Sequence, residues 1–432
     1  MHPIKELILN RGKGGALAIP SYCTGSLPVI RAAIRRAAKT GLPVLIEATA
    51  NQVDQNGGYT GLKPKDYYDL VMGMADEEGL SRDLLILGGD HLGPLTWSHL
   101  PEKEAMANAE VLVREYVKAG FTKIHLDTSM KLADDPEGAF PPEIPARRGA
   151  FLYRMAMDAY EERLKEVPGA ERPVFVIGSE VPVPGGAQEE EEGLTVTSPK
   201  AFNETMEAYR KFFAQEGMPD AMEDVVACVV QPGVEFGDEQ VFQYDSGAAA
   251  ELMAALKAHP GLVFEGHSTD YQSRESLRAM TRDGVGILKV GPALTFAYRE
   301  GLFALNMMEE ELIPALDQSL FDDILEQVML ADPGKWKAHY HGSPEALKLK
   351  RRYSFSDRSR YYMGHPEVQA AVAKLIDNLR RVDIPLSMLH QYMPQQYDAV
   401  RDGLLAKDPE ALLQDYVERV MADYEFAAEP EK

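Results

Sequence analysis

Two of the ten histidines, His91 in LILGGDHLGP and His267 in LVFEGHSTD, each follow an apolar run and sit beside a glycine-containing turn. Two imidazoles joined by a carboxylate from a third segment make an open divalent-metal site with room for substrate oxygens. Asp90 stands next to His91, and a carboxylate beside a cation without binding it can move protons on substrate hydroxyls, so Asp90 is the first candidate acid/base. Asp127 in KIHLDTSM is the second, and Glu47 in VLIEAT is counted with them. His125 shares the inward face of its run with Asp127. Taken singly, it is read as structural, as are His2, His99, His259, His339, His341, His365 and His390.

These residues need elements that bring their ends together. Short apolar, β-branched runs at 16–23, 43–48, 84–88, 122–127, 173–179, 225–230, 262–266 and 286–290 alternate with amphipathic stretches of helical spacing at 27–40, 64–78, 102–119, 146–166, 199–215, 246–258 and 273–283. Alternation of this kind predicts a parallel sheet covered by helices, and eight runs suit a closed (β/α)8 barrel. An open doubly wound sheet uses the same alternation, but no G-x-G-x-x-G follows the first run. In a barrel, chemistry collects where the strands end. Tyr22, Cys23, Glu47, Asn51, Asp90, His91, Asp127, Glu180, Gln231, His267 and Ser268 all fall at such ends.

Residues 1–300 are therefore assigned to the barrel and 301–432 to a helical C-terminal extension packing on it, with helices expected at 301–330, 366–381 and 409–424 and a frayed tail at 425–432. The segment 182–193, PVPGGAQEEEEG, reads as a mobile loop over the mouth whose acidic run is a solvated face.

The net charge of -23 over 432 residues opposes binding to nucleic acid or anionic lipid, so a phosphorylated substrate needs a local cationic site. The stretch SFSDRSRYYMG offers Arg358 and Arg360 with Tyr361, and paired arginines suit bidentate phosphate recognition. Gly291, after the eighth run, offers backbone N–H groups for the same purpose, and Ser268 a hydroxyl. Cys23 and Cys228 are too few for a disulfide framework. The start MHPIKELILNRGKGG has no long apolar run or small-residue cleavage site, and no stretch is apolar enough to span a membrane, which predicts a cytoplasmic protein.

The segments IEATANQVDQNGGYTG, GGDHLGP, KIHLDTSM, GSEVPVPGG, FEGHSTDYQ, LKVGPALTFA and YSFSDRSRYY, spread over nearly the whole chain, resemble the family of the Z-type subunit of tagatose-1,6-bisphosphate aldolase. The resemblance implies one of two functions. One is a non-catalytic subunit supporting a separate class II aldolase chain; the other is a stand-alone 4-epimerase of fructose 6-phosphate and tagatose 6-phosphate. A wider resemblance to class II aldolases, which are (β/α)8 barrels, matches Asp90 and His91 to their Asp-His pair and His267 to a later metal histidine. Those enzymes carry a third metal histidine at strand six, where this chain has VVQPGVEFG; Glu180 or Gln231 is then expected to complete the site. The implied cofactor is a divalent ion, zinc first, with manganese, cobalt or nickel also suited to nitrogen and oxygen ligands. The implied partners are a small sugar phosphate, a class II aldolase catalytic chain or a second copy of this chain.

Carbon 4 of a 2-ketose is β to the carbonyl, so its hydrogen is not acidic and simple proton abstraction cannot epimerise it. Cleavage and re-formation of the C3–C4 bond solves this. Asp90, or Asp127, would take the C4 hydroxyl proton, and retention of the phosphorylated triose would separate an epimerase from an aldolase. An independent bisphosphate aldolase would need a second phosphate site, which the residues do not display.

Overall fold

The computed structural model describes residues 1–11, 13–138, 140–179 and 194–430. Glu180 and the expected loop 182–193 lie outside the described residues. Eight parallel strands close a barrel: Ile19–Cys23, Val44–Thr49, Leu85–Leu92, Lys123–Leu126, Val174–Ile177, Val225–Val230, Val263–Gly266 and Val285–Val290. Each pairs with its sequence neighbour, and the first closes on the eighth. All eight expected runs are strands, because β-branched apolar residues fill a pleated surface buried on both faces.

Inward positions change character along the barrel axis. At the N-terminal end of the strands, Ile19, Leu45, Ile86, Val174, Val176 and Ile287 form an apolar plug with Ile4 of the helix Pro3–Asn10. One pleat repeat further on, Ser21, Glu47, Lys123, Glu265 and Lys289 form a buried polar layer. The mouth lies above it.

Helices at Leu27–Thr40, Pro64–Glu78, Glu102–Ala119, Glu143–Glu166, Pro199–Gln215, Ser246–Leu256 and Arg274–Asp283 wrap the sheet. The helix after the eighth strand runs unbroken over Pro292–Leu312, so the boundary read at 300 falls inside it. The stretch 301–330 is two helices, since the chain breaks at 313–320 before Phe321–Ala331. The extension also contains Pro344–Tyr353, Pro366–Arg380, Leu386–Tyr392 and Pro394–Arg401 around a core of Leu302, Phe321, Trp336, Leu375 and Leu412.

The last helix, Pro409–Ala428, returns to the barrel, where Val417, Met421, Tyr424 and Ala427 join the main core. The tail expected to fray is therefore ordered through Ala428: Arg278 Nη1 donates to the carbonyls of Phe426 (3.0 Å) and Ala427 (3.2 Å). Tyr424 Oη donates to the Thr269 carbonyl at 2.7 Å, tying this helix to the loop after the seventh strand.

Candidate metal centre and substrate cavity

The third strand departs from regular alternation where the chemistry begins. Successive strand residues point to opposite faces, which would separate Asp90 from His91. Instead the pairing with the fourth strand shifts between Gly89 and Leu92, and His91 takes φ 50°, a left-handed value costly for a residue with a Cβ. Both side chains then reach the mouth. Gly93 follows because a Cβ there would lie 1.7 Å from the Asp127 carbonyl oxygen. Ser268, next to His267, repeats the device with φ 53°.

Asp90, His91, His125 and His267 converge, each offering a ligand atom, with those atoms all within 4.8 Å of one another. The three imidazoles stand edge to face at centroid separations of 4.9 to 5.2 Å. His125, assigned a structural role from the sequence, is thus the third imidazole. It comes from strand four, whereas the family comparison directed attention to strand six.

For His91 and His267 the partners identify the ring nitrogen left for an ion. His91 Nδ1 is 2.8 Å from Asp127 Oδ2, which leaves Nε2 facing Asp90. His267 Nε2 is 2.8 Å from Glu265 Oε1, which leaves Nδ1. His125 Nδ1 accepts the His91 backbone N–H at 3.1 Å and also lies 2.8 Å from Asp90 Oδ1, and its buried Nε2 has no hydrogen-bond partner among the described residues. Metal-binding histidines typically have the other ring nitrogen held by a carboxylate, and His91 and His267 follow that pattern.

The charges agree with this fit. Asp90, Asp127, Glu47 and Glu265 are four buried carboxylates, against the two buried ammoniums Lys123 and Lys289. A divalent ion would offset part of this excess of negative charge. Lys123 Nζ lies 2.9 Å from Glu47 Oε1 and 2.7 Å from Glu265 Oε2; Lys289 Nζ lies 2.9 Å from Asp90 Oδ2 and 3.2 Å from Glu47 Oε1. Burial holds His267 down to about 4 against the pull of Glu265 and Asp90, so its imidazole is neutral and able to bind an ion. Burial would also lower His91, but Asp90 and Asp127 outweigh it and raise the ring. Asp127 falls to about 2 because the His91 contact overcomes burial.

A cavity of about 1140 Å³ opens above the cluster, lined by Cys23, Asp90, His91, His267, Ser268, Asp270 and Lys289 at one end. Lys335, Arg360, Tyr361 and His365 of the extension line it as well. Arg360 Nη2 donates to Tyr361 Oη at 2.9 Å, and the Tyr361 ring meets Tyr59 edge-on at 4.9 Å. Neither Lys335 nor Arg360 has an ion-pair partner among the described residues, a notable state in so acidic a protein.

Five sequence expectations are placed differently. Gln231 turns back on its own loop, where Oε1 accepts the N–H groups of Gly233 (2.8 Å) and Val234 (3.0 Å), leaving that oxygen no lone pair for a metal. Glu47 is completely buried beneath the mouth between Ser21, Lys123 and Lys289; it positions the lysines and does not line the cavity. Asp127 also stays outside the lining and orients His91. Arg358 turns to the Lys335 carbonyl. The Gly291 N–H is occupied by Asp270 Oδ1 at 3.0 Å; this residue is glycine because a Cβ would lie 2.9 Å from the Cys23 carbonyl oxygen.

Lys123, Lys289, Glu265 and Asp270 were missed in the sequence. Charged residues inside apolar strands at two-residue spacing, as in Lys123-x-His125-x-Asp127 and Glu265-x-His267, were the available signal.

Comparison with known proteins matches residues 4–429 to the family described as D-tagatose-1,6-bisphosphate aldolase subunit GatZ/KbaZ-like. A crystal structure of a probable tagatose 6 phosphate kinase from Sinorhizobium meliloti 1021 is similar at 44% identity and TM-score 0.86, over 95% of this chain and 100% of that one. The YdjI aldolase from Escherichia coli K12 matches at 14% identity and TM-score 0.44, over 83% of this chain and 95% of that one. No helix among the described residues is long and apolar enough to cross a membrane.

Proposed function

Since the chain belongs to the D-tagatose-1,6-bisphosphate aldolase subunit GatZ/KbaZ-like family, we propose that it is itself a catalyst, a divalent-metal-dependent 4-epimerase interconverting D-fructose 6-phosphate and D-tagatose 6-phosphate. The observation that carries this reading is the convergence of three imidazoles and Asp90 at one end of a cavity that Lys335 and Arg360, without ion-pair partners among the described residues, also line. A purely structural barrel has no need to bury four carboxylates and three histidines at and just beneath one mouth, where the charges cost stability unless compensated. Both the family description and the name of the S. meliloti protein carry a tagatose phosphate.

His91, His125 and His267 would hold a divalent ion, which would supply Lewis-acid polarisation of the substrate's C2 carbonyl when bound. The chain's own groups do the rest. Asp90, held below the usual carboxylate range against burial by His91 and then Lys289, accepts the C4 hydroxyl proton as the C3–C4 bond breaks, and the bond's electron pair remains with the three-carbon ketose fragment. Arg360, Lys335 and Tyr361 hold the phosphate of the glyceraldehyde 3-phosphate released at C4, so the aldehyde stays in the cavity and turns its other face. Re-addition re-forms the bond with C4 inverted, and Asp90 returns the proton. In this reading Glu47 and Asp127 position the reacting groups, and Ser268 binds a substrate hydroxyl.

The second reading is a supporting subunit for a class II aldolase chain, favoured by Gln231 turning away where a metal histidine was sought. Incubation of the purified chain alone with fructose 6-phosphate, with added zinc, manganese, cobalt or nickel and then with chelator, decides between them by NMR. The epimerase forms tagatose 6-phosphate without accumulating triose phosphate, and Asp90→Asn and His267→Ala abolish it. If no product forms with any metal while the chain activates a class II aldolase, the subunit reading stands.

A further inference from the structure

We infer that Asp270 restricts the cavity to sugars bearing a single phosphate, by placing a fixed carboxylate on the backbone amides where a second phosphate would bind. This rests on the sugar-phosphate reading above and names what that site rejects.

In (β/α)8 barrels, the loops after the last strands and a following helix N-terminus commonly cradle a phosphate. Here the helix Pro292–Leu312 starts at that place, but its amides are taken. Asp270 Oδ1 accepts from Gly291 N–H at 3.0 Å and Ala293 N–H at 2.8 Å, and Pro292 between them has no N–H to offer. The Asp270 side chain is 3% exposed and lines the cavity, so a phosphate arriving at these amides meets a carboxylate already using them. Burial raises Asp270 to about 6 against the lowering effect of the two amides, which leaves it mostly charged at neutral pH.

The cations lining the cavity give the same count. Lys289 is committed to Asp90 and Glu47. Lys335 and Arg360 remain, both from the extension, and Arg360 makes no ion pair with Asp270 although it lies near enough to lower its pKa. One anionic group can be neutralised there. With the 6-phosphate on the extension, the C1 end of the sugar faces the ends of strands seven and eight, where only a neutral hydroxymethyl group is accepted.

Calorimetric titration of the full chain, in one metal-containing buffer, with D-fructose 6-phosphate and D-fructose 1,6-bisphosphate tests this without requiring turnover. Wild type should prefer the monophosphate by roughly 100-fold, the scale of a like-charge clash in a desolvated site. Asp270→Asn keeps an acceptor for the Gly291 amide and removes the charge, and Asp270→Ser frees both amides; each should narrow the preference at least tenfold, mainly through tighter bisphosphate binding. Equal binding of the two sugars by wild type, or an unchanged ratio in both folded variants, overturns the inference and leaves the epimerase reading intact. Binding of neither sugar overturns both.

Discussion

His125 Nδ1 lies 2.8 Å from Asp90 Oδ1, the opposite nitrogen of the same ring is buried without a hydrogen-bond partner among the described residues, and the ring centroid stands 5.0 Å from that of His91 and 5.2 Å from that of His267. One contact therefore joins the proposed base to the proposed ligand set. A buried ring nitrogen left unsatisfied is costly, and a metal ion would remove that cost.

His125→Ala should weaken zinc binding by roughly 100-fold, the loss expected when a ligand and its carboxylate partner are uncoupled. Gln231→Ala, whose parent side chain serves its own loop, should change the affinity less than about threefold. Titration of zinc into chelator-treated protein measures both. Comparable losses in the two variants would return the third ligand to strand six.

Arg360 and Arg358 are two residues apart but face different surroundings: Arg360 lines the cavity, and Arg358 donates to the Lys335 carbonyl. Replacing a charge-assisted phosphate contact costs about 1.5–3 kcal/mol. Arg360→Gln should thus raise the Kd for fructose 6-phosphate by about 10- to 100-fold, with Arg358→Gln within a few-fold of wild type. The reverse order would move the phosphate site outward.

Lys123 is fully buried between Glu47 and Glu265. Lys123→Met strands two carboxylates in the barrel and should destabilise the fold by about 3–5 kcal/mol, read from urea unfolding. Adding Glu47→Gln to that variant should recover part of the loss; a double variant less stable than the single one would contradict the pairing.

His2 Nδ1 accepts the Ile4 N–H at 3.2 Å and caps the helix that plugs the barrel. Burial, with Lys5 and the N-terminal charge, lowers His2 from 6.5 to about 4. The unfolded chain then binds the extra proton, so this contribution is complete above pH 6.5 and is lost as pH falls toward 4, by up to about 3 kcal/mol. His2→Asn retains a capping acceptor and should flatten the decline in urea stability between pH 7 and 4.5. Parallel declines in the two proteins would assign the acid sensitivity to other groups.

The barrel was legible because its signals are local. Each strand announces itself within about six residues, as in VLIEAT and VVACVV, and each helix within a few turns, so eight strands could be counted without knowing what touches what. Asp90, His91 and His267 were legible for the same reason, since polar residues ending apolar runs can be seen along the chain.

What the tertiary structure decided are relationships between distant segments. His125 lay on an inward face by alternation, but only barrel closure brings its ring within 5.2 Å of His267. The extension returns Arg360 to a cavity it shares with Asp90, and Asp270 reaches across to the amides of Gly291 and Ala293. Gln231 and Gly291 had suitable chemistry for the roles expected of them, but a side chain or amide can serve only the partner its surroundings bring within about 3 Å, and those partners come from the three-dimensional packing.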